Sequence, residues 1–278
     1  MGKSFKVAVC QMQVVDDKQI NVEKAVDFIG KSASKRADLV VLPEMFNCPY
    51  ENEKFPLYAE TRKSSETLKA VSGAARDHGV YLVAGSIPER DEDKIYNTSF
   101  IIDPHGKIIG SHRKIHLFDV DIPGGITFKE SDTLSAGDRL TVLETDLARI
   151  GVAICYDIRF PELSRLLALE DVELMVLPGA FNMTTGPAHW KTLIKSRAID
   201  NQFYVVAASP AQDVSTSYIA YGHSMVVGPW GSVLAEAGNF EEIIYADIRL
   251  DRIEEVRREL PVLLNRRTDI YDIIKKSK

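Results

Sequence analysis

Val152-Ala153-Ile154-Cys155-Tyr156-Asp157-Ile158-Arg159-Phe160-Pro161-Glu162-Leu163 reads as the end of a buried strand, a polar turn and the start of a helix. Gly151 precedes the apolar run, a cysteine closes it, and Pro161 suits the first turn of a helix carrying Leu163, Leu166 and Leu167. A side chain at such a strand end is held rigidly yet faces solvent, and the N-terminus of the next helix favours a thiolate. The segment alone fits both a nucleophile and a small buried hydrophobe. The rest of the chain has to decide between them.

Upstream of it, residues 140–143 and 150–154 pair as a hairpin; downstream, residues 173–178 and 204–208 read as buried strands. Between those two, Pro187 suits the N1 position of a helix carrying Trp190, Leu193, Ile194 and Arg197. Residues 223–227 and 232–235 flank a turn at Pro229-Trp230-Gly231, residues 243–248 form a last strand, and 252–260 a last helix. Toward the N-terminus, residues 5–12 read as a strand, and Asn21 as the cap of a helix with Val22, Ala25, Val26, Ile29 and Ala33 at helical spacing. Asp38-Leu39-Val40-Val41-Leu42-Pro43-Glu44 is near-continuously apolar, as expected of a strand covered on both faces. Ser64 or Ser65 caps a helix with Leu68, Val71 and Ala75, closed by Gly79, and residues 80–86 follow as a strand. Residues 96–102 and 107–111 are separated by Asp103-Pro104-His105-Gly106, a strong hairpin turn, and residues 118–137 form a polar, glycine-rich passage.

Strands outnumber helices, and hairpins alternate with helical units. The pattern predicts an α/β fold of two mixed sheets packed face to face with helices outside. Without a linker-like composition shift or repeat, residues 1–278 read as a single domain, with 261–278 an arm expected to pack on a neighbouring subunit.

Composition narrows the function. The 34 Lys and Arg against 40 Asp and Glu give a formal charge of −6, which argues against nucleic acid as a partner. Cys10, Cys48 and Cys155 are odd in number and lack metal-type spacing, so a reducing, cytoplasmic setting fits better than a disulfide scaffold, with a mitochondrial copy a further option. No signal-type stretch precedes residues 7–9, no apolar run is long enough for a bilayer, and the basic tail from Lys275 reads as a solvated end.

Three polar residues stand at the ends of apolar strands: Glu44, Lys114 and Cys155. Together they make a chemically complete set. The carboxylate takes the thiol proton, the thiolate attacks an electrophilic carbon, and the ammonium with a backbone N–H stabilises the oxyanion. Singly, a glutamate after a strand and a lysine within Ser111-His112-Arg113-Lys114-Ile115-His116 are more often solvated surface residues.

Leu42-Pro43-Glu44-Met45-Phe46, His112-Arg113-Lys114-Ile115-His116-Leu117 and Gly151 through Glu162 resemble, in order, the three signature blocks of the nitrilase (carbon-nitrogen hydrolase) superfamily. The resemblance covers residues 5–272. It implies a four-layer αββα sandwich that dimerises, thioester chemistry at Cys155, oxyanion support from the Tyr156 backbone N–H, and neither metal nor cofactor. Glu130 matches a further family glutamate, which would hold Lys114. Within the superfamily, Phe46 to Tyr50, Lys114 to Pro123, Thr127 to Ser131 and Pro178 to Trp190 look like the omega-amidase branch, which hydrolyses 2-oxo acid amides such as 2-oxoglutaramate and 2-oxosuccinamate.

A substrate with a remote carboxylate needs a cation or hydroxyls; Arg159 is suited to a bidentate clamp unless it pairs with Glu162 or Asp157, and Tyr50, Phe181 and Thr185 lie in segments expected at the mouth. The same triad also serves nitrile hydrolases, N-carbamoyl amidases and deaminated-glutathione amidases, and a non-catalytic binding protein on the fold is the rival of another class. His112 and His116 have no third ligand at a metal spacing, Cys48 reads as a semi-buried thiol, and Gly228-Pro229-Trp230-Gly231 reads as a turn.

Overall fold

The computed structural model describes residues 3–276; Met1-Gly2 and Ser277-Lys278, the ends of the expected domain and basic tail, lie outside the described residues. The first sheet contains β1 (Ser4–Gln11), β2 (Leu39–Val41), β3 (Glu60–Thr61), β4 (Tyr81–Asp91), β5 (Lys94–Ile102) and β6 (Ile108–Arg113). After a small hairpin, β7 (Asp119–Asp121) and β8 (Thr127–Lys129), the second sheet is built from β9 (Thr141–Glu144), β10 (Arg149–Val152), β11 (Leu174–Pro178), β12 (Tyr204–Ala208), β13 (Met225–Val227) and β14 (Val233–Glu236). The last strand, β15 (Glu242–Arg249), returns to the first sheet and pairs antiparallel with β1. Spatial order is β15-β1-β2-β4-β5-β6 in one sheet and β14-β13-β12-β11-β10-β9 in the other, and both mix parallel centres with antiparallel edges.

Period-two alternation divides each strand between two cores. On β1, Val7 and Val9 point between the sheets, where they meet Val152, Val176 and Val206 of the second sheet. Ala8 and Cys10 point the other way, onto Ala25, Phe28 and Ile29 of α1 (Lys18–Ser34), beside α3 (Glu66–His78). A short helix, α2 (Phe55–Tyr58), lies between them in sequence. The outer face of the second sheet packs on Leu163 and Leu167 of α4 (Pro161–Leu169) and on Trp190 and Ile194 of α5 (Gly186–Asn201), and α6 (Asp251–Glu259) follows β15. This is the expected four-layer αββα sandwich.

Several local expectations shift. Asp17, not Asn21, caps α1, its Oδ1 accepting from Ile20 N at 3.1 Å. Asn21 is buried one turn later and is bound to both backbone groups of Val15, so it closes the incoming loop. Ser65 caps α3 and Gly79 ends it at φ 65°. α5 begins at Gly186, so Pro187 takes its second position, while Asn182 Oδ1 accepts from Thr184 N and Thr185 N. β4 runs beyond residue 86 through Pro88 and three charged residues and turns at Glu92 into β5, a hairpin that its composition hid. The passage 118–137 holds β7, β8 and a 3-10 turn (Glu130–Asp132), and with three-residue strands that half-bury only Val120 and Phe128, periodicity carries no signal there. Residues 261–276 form neither helix nor strand and leave Leu264, Ile270 and Ile274 exposed. Among the described residues no helix is long and apolar enough to cross a membrane.

Candidate active site

Strand ends from both sheets converge on one buried point. Glu44 follows β2 after Leu42-Pro43, and β4 passes so close that a Cβ on Gly85 would sit 1.9 Å from the Pro43 carbonyl oxygen. That approach, with Met45 N donating to Ser86 Oγ at 3.0 Å, sets the glutamate. Lys114 leaves β6 directly and is tied by its own amide to Asn97 O of β5 at 2.8 Å. Cys155 heads a 3-10 turn (Cys155–Arg159) after β10, with φ 45°. A non-glycine residue in that region costs about 1–3 kcal/mol and persists only where its surroundings over-determine it, as at a strand-to-helix nucleophile turn. Met45, just after Glu44, is similarly held at φ 50°.

The side chains form one knot. Lys114 Nζ lies 3.0 Å from Glu44 Oε1, 2.9 Å from Glu130 Oε1 and 3.1 Å from Tyr50 Oη. The Tyr50 hydroxyl donates to Glu130 Oε1 at 2.6 Å, and Phe118 N to Glu130 Oε2 at 2.6 Å. Glu44 accepts from Asn97 Nδ2 and from Ala180 N, each at 2.8 Å. Every partner of the two carboxylates here is a donor, so both are satisfied as anions. Glu44, Lys114 and Glu130 are fully buried and Cys155 keeps 3% of its surface.

Burial dominates the electrostatics. It raises the Cys155 thiol well above its ordinary range, the Glu44 carboxylate raises it further, and Lys114 pulls the other way. Burial also raises Glu44; Lys114 opposes the shift, Glu130 reinforces it, and hydrogen bonds from Lys114 and the Cys155 thiol oppose it. Burial alone would lower Lys114, but Glu130 and Glu44 outweigh it and hold the ammonium firmly charged. Burial thus favours a neutral thiol at Cys155, beside a firmly charged Lys114.

The remaining predicted residues divide. Tyr50 belongs to the knot and also lines the cavity that reaches Glu44, its ring 4.5 Å from that of Tyr218. Arg159 is half-buried, its guanidinium 4.7 Å from the Phe181 ring, with one N–H against His189 Nδ1 at 3.1 Å. Among the described residues it pairs with neither Glu162 nor Asp157, because Asp157 is engaged by His112 and His116. Thr185 is buried at the start of α5 and turns its hydroxyl to Asn182, which occupies it locally. Tyr156 N sits in the first turn after Cys155, where helix N–H groups have no intrahelical acceptor. Sequence reasoning did not select Asn97, Ala180 or Tyr218. An asparagine in the middle of a strand, where that residue type is disfavoured, was a usable signal for Asn97; a backbone N–H such as that of Ala180 carries none. Among the described residues, no group of three or more His, Cys, Asp or Glu side chains is placed to hold a metal ion.

The sequence profile described as carbon-nitrogen hydrolase matches residues 6–258. A human protein named omega-amidase NIT2 is 49% identical over 270 residues, covering 97% of this chain and 98% of its own. Among solved structures, Saccharomyces cerevisiae Nit3, a member of branch 10 of the nitrilase superfamily, superposes with a TM-score of 0.88 at 43% identity over 96% of this chain and 97% of its own. The Caenorhabditis elegans NitFhit protein superposes at 0.91 with 36% identity, over all of this chain and 69% of the longer one.

Proposed function

This chain belongs to the carbon-nitrogen hydrolase family, and we propose that it is an omega-amidase, releasing ammonia from the terminal amide of a small 2-oxo acid amide such as 2-oxoglutaramate or 2-oxosuccinamate. The observation that carries this reading is the knot of Glu44, Lys114, Glu130 and Tyr50 against a buried, strained Cys155. Near-full-length identity to proteins named omega-amidase supports the substrate class.

Glu44 is the base. Its Oε1 already accepts from Asn97 and Lys114, whereas Oε2 accepts only from Ala180 N and keeps a lone pair to receive the thiol proton. The sulfur then attacks the amide carbon, and the negative charge forming on oxygen meets the Lys114 ammonium and the Tyr156 N–H. Lys114 has three N–H bonds and in the resting site points them at Glu44, Glu130 and Tyr50. The contact to the neutral tyrosine is the least costly to exchange for the oxyanion. Glu44 passes the proton to the departing nitrogen, the C–N bond breaks, and ammonia leaves a thioester on Cys155. Water, deprotonated by Glu44, attacks that thioester, and the proton returns with the sulfur to restore the thiol.

The remote carboxylate of the substrate goes to Arg159. Its guanidinium is half-buried against Phe181 and has no carboxylate partner among the described residues. The unpaired, buried thiols fit a reducing cytoplasmic compartment, and the exposed Leu264, Ile270 and Ile274 of the arm support a homodimer, testable by sedimentation. The deciding experiment is a panel of 2-oxoglutaramate, an N-carbamoyl amino acid and deaminated glutathione, comparing kcat/KM and trapping the Cys155 adduct for its mass. Preference for either of the latter two would reassign the substrate; full turnover by Cys155→Ala would remove the mechanism.

A further inference from the structure

Asp157 lies two residues beyond the nucleophile and takes no part in the chemistry above, yet it is completely buried. Its Oδ2 accepts from Ile154 N at 3.0 Å, the residue before Cys155, and faces His112 Nε2 at 3.3 Å. Its Oδ1 accepts from the backbone N–H of His116 at 2.9 Å and faces His116 Nδ1 at 2.8 Å. A carboxylate is an acceptor only, so it assigns the donor nitrogens: Nε2–H on His112 and Nδ1–H on His116. Burial works against the charge, but the hydrogen bonds from His112 and His116 outweigh it and hold Asp157 well below the usual carboxylate range.

These partners bracket the site. His112 and His116 lie two residues either side of Lys114, at the end of β6 in the first sheet, and Ile154 precedes Cys155 at the end of β10 in the second. One carboxylate thus spans the two sheets and holds the lysine segment against the cysteine turn. His112 is further fixed by Thr141 Oγ1 at 3.1 Å, and the His116 ring is stacked 3.6 Å over Phe160 within the segment that follows Cys155.

We propose that Asp157 is a positioning residue that sets the placement of the Lys114 ammonium relative to the Cys155 sulfur, through His112 and His116. The inference rests on the reading of Lys114 and Cys155 as the reacting pair. An amide in place of this carboxylate presents an NH2 to at least one of the N–H donors and releases that side of the strut. A displacement of about 1 Å in a reacting group costs on the order of a hundredfold in rate.

The test is steady-state kinetics on full-length Asp157→Asn, with the iodoacetamide alkylation rate of Cys155 as a second readout. The expected result is a fall in kcat of about a hundredfold with KM little changed, together with slower alkylation, because a displaced ammonium no longer favours the thiolate. Adding Asp157→Asn to Lys114→Met should slow alkylation no further, whereas a merely structural loss adds to both backgrounds. His116→Phe keeps the stack on Phe160 and the backbone bond to Asp157, so it folds if Asp157→Asn does not; its kcat should fall about tenfold with KM preserved. Near-wild-type kcat in both variants, a loss expressed only in KM, or an additive effect in the Lys114→Met background would overturn the proposal. Cys155→Ala is run alongside: if it turns over, the reacting pair itself is misassigned, and if it is dead while Asp157→Asn is normal, only the strut fails.

Discussion

Lys114→Met makes the sharpest demand on the site, because the change acts on stability as well as rate. The lysine is fully buried and is the cation shared by Glu44 and Glu130. Removing one partner of a buried ionic group typically costs about 3–5 kcal/mol, since the charge left behind is desolvated and unpaired. At about 2–4 °C per kcal/mol for large domains, this is a Tm loss of about 6–20 °C near neutral pH. The cost depends on pH. Burial and the Glu130 charge already raise Glu44, and without the ammonium its folded value rises further above the unfolded value of about 4.3. A carboxylate whose folded value is raised gives most stability below the unfolded value and loses it as pH rises through the folded one, by at most about 1.4 kcal/mol per pH unit per proton. The Tm gap between wild type and variant should therefore narrow as pH falls from 8 to 5, when one carboxylate takes up a proton. The assay is thermal unfolding followed by circular dichroism across that range. A gap independent of pH, or no gap at pH 8, refutes the charge assignment. Turnover should fall by at least about a hundredfold, the value of one lost oxyanion donor.

Further outcomes follow from the same geometry. Because Glu44 must be ionised to act and is raised by burial and by Glu130, the acid limb of kcat/KM should lie above pH 4.5 in wild type. In Glu130→Gln it should move to lower pH, since the repulsion is gone; an upward or absent shift in the residual activity contradicts this coupling. Arg159→Met should raise KM by about ten- to a hundredfold, from the loss of a charged hydrogen bond worth about 1.5–3 kcal/mol, and should leave amides lacking the remote carboxylate unaffected. Tyr50→Phe leaves Glu130 one donor short, so unfolding free energy should drop by about 1–3 kcal/mol. Its kcat should change far less than in Lys114→Met, because that tyrosine holds the N–H the oxyanion requires. A rise in KM alone would instead make Tyr50 a substrate contact.

The layers of the fold were legible because near-continuous apolar runs such as Asp38 to Leu42 can only be strands covered on both faces, and because Gly79 and Ser65 punctuate helices by local chemistry. The hairpin at 118–137 was not legible: strands of three residues with one half-buried side chain each leave no period to read. Asn21 misled for a related reason. Its composition suits a cap, but Asp17, four residues earlier, takes that place, and the loop at Val15 uses Asn21 instead.

Sequence alone picked out the atoms proposed to carry the chemistry. A cysteine, a glutamate and a lysine each follow a strand, and strand ends are where rigid backbone fixes a side chain. It could not determine how those atoms share charge, because that depends on distances between residues 41 to 111 positions apart in the chain. Only the tertiary packing made Tyr50 a bridge between Lys114 and Glu130, supplied the Ala180 N–H to Glu44 and placed Asp157 between two histidines. Hydrogen bonds and ion pairs act over a few ångströms, and neighbourhood on that scale between distant segments is a property of tertiary structure.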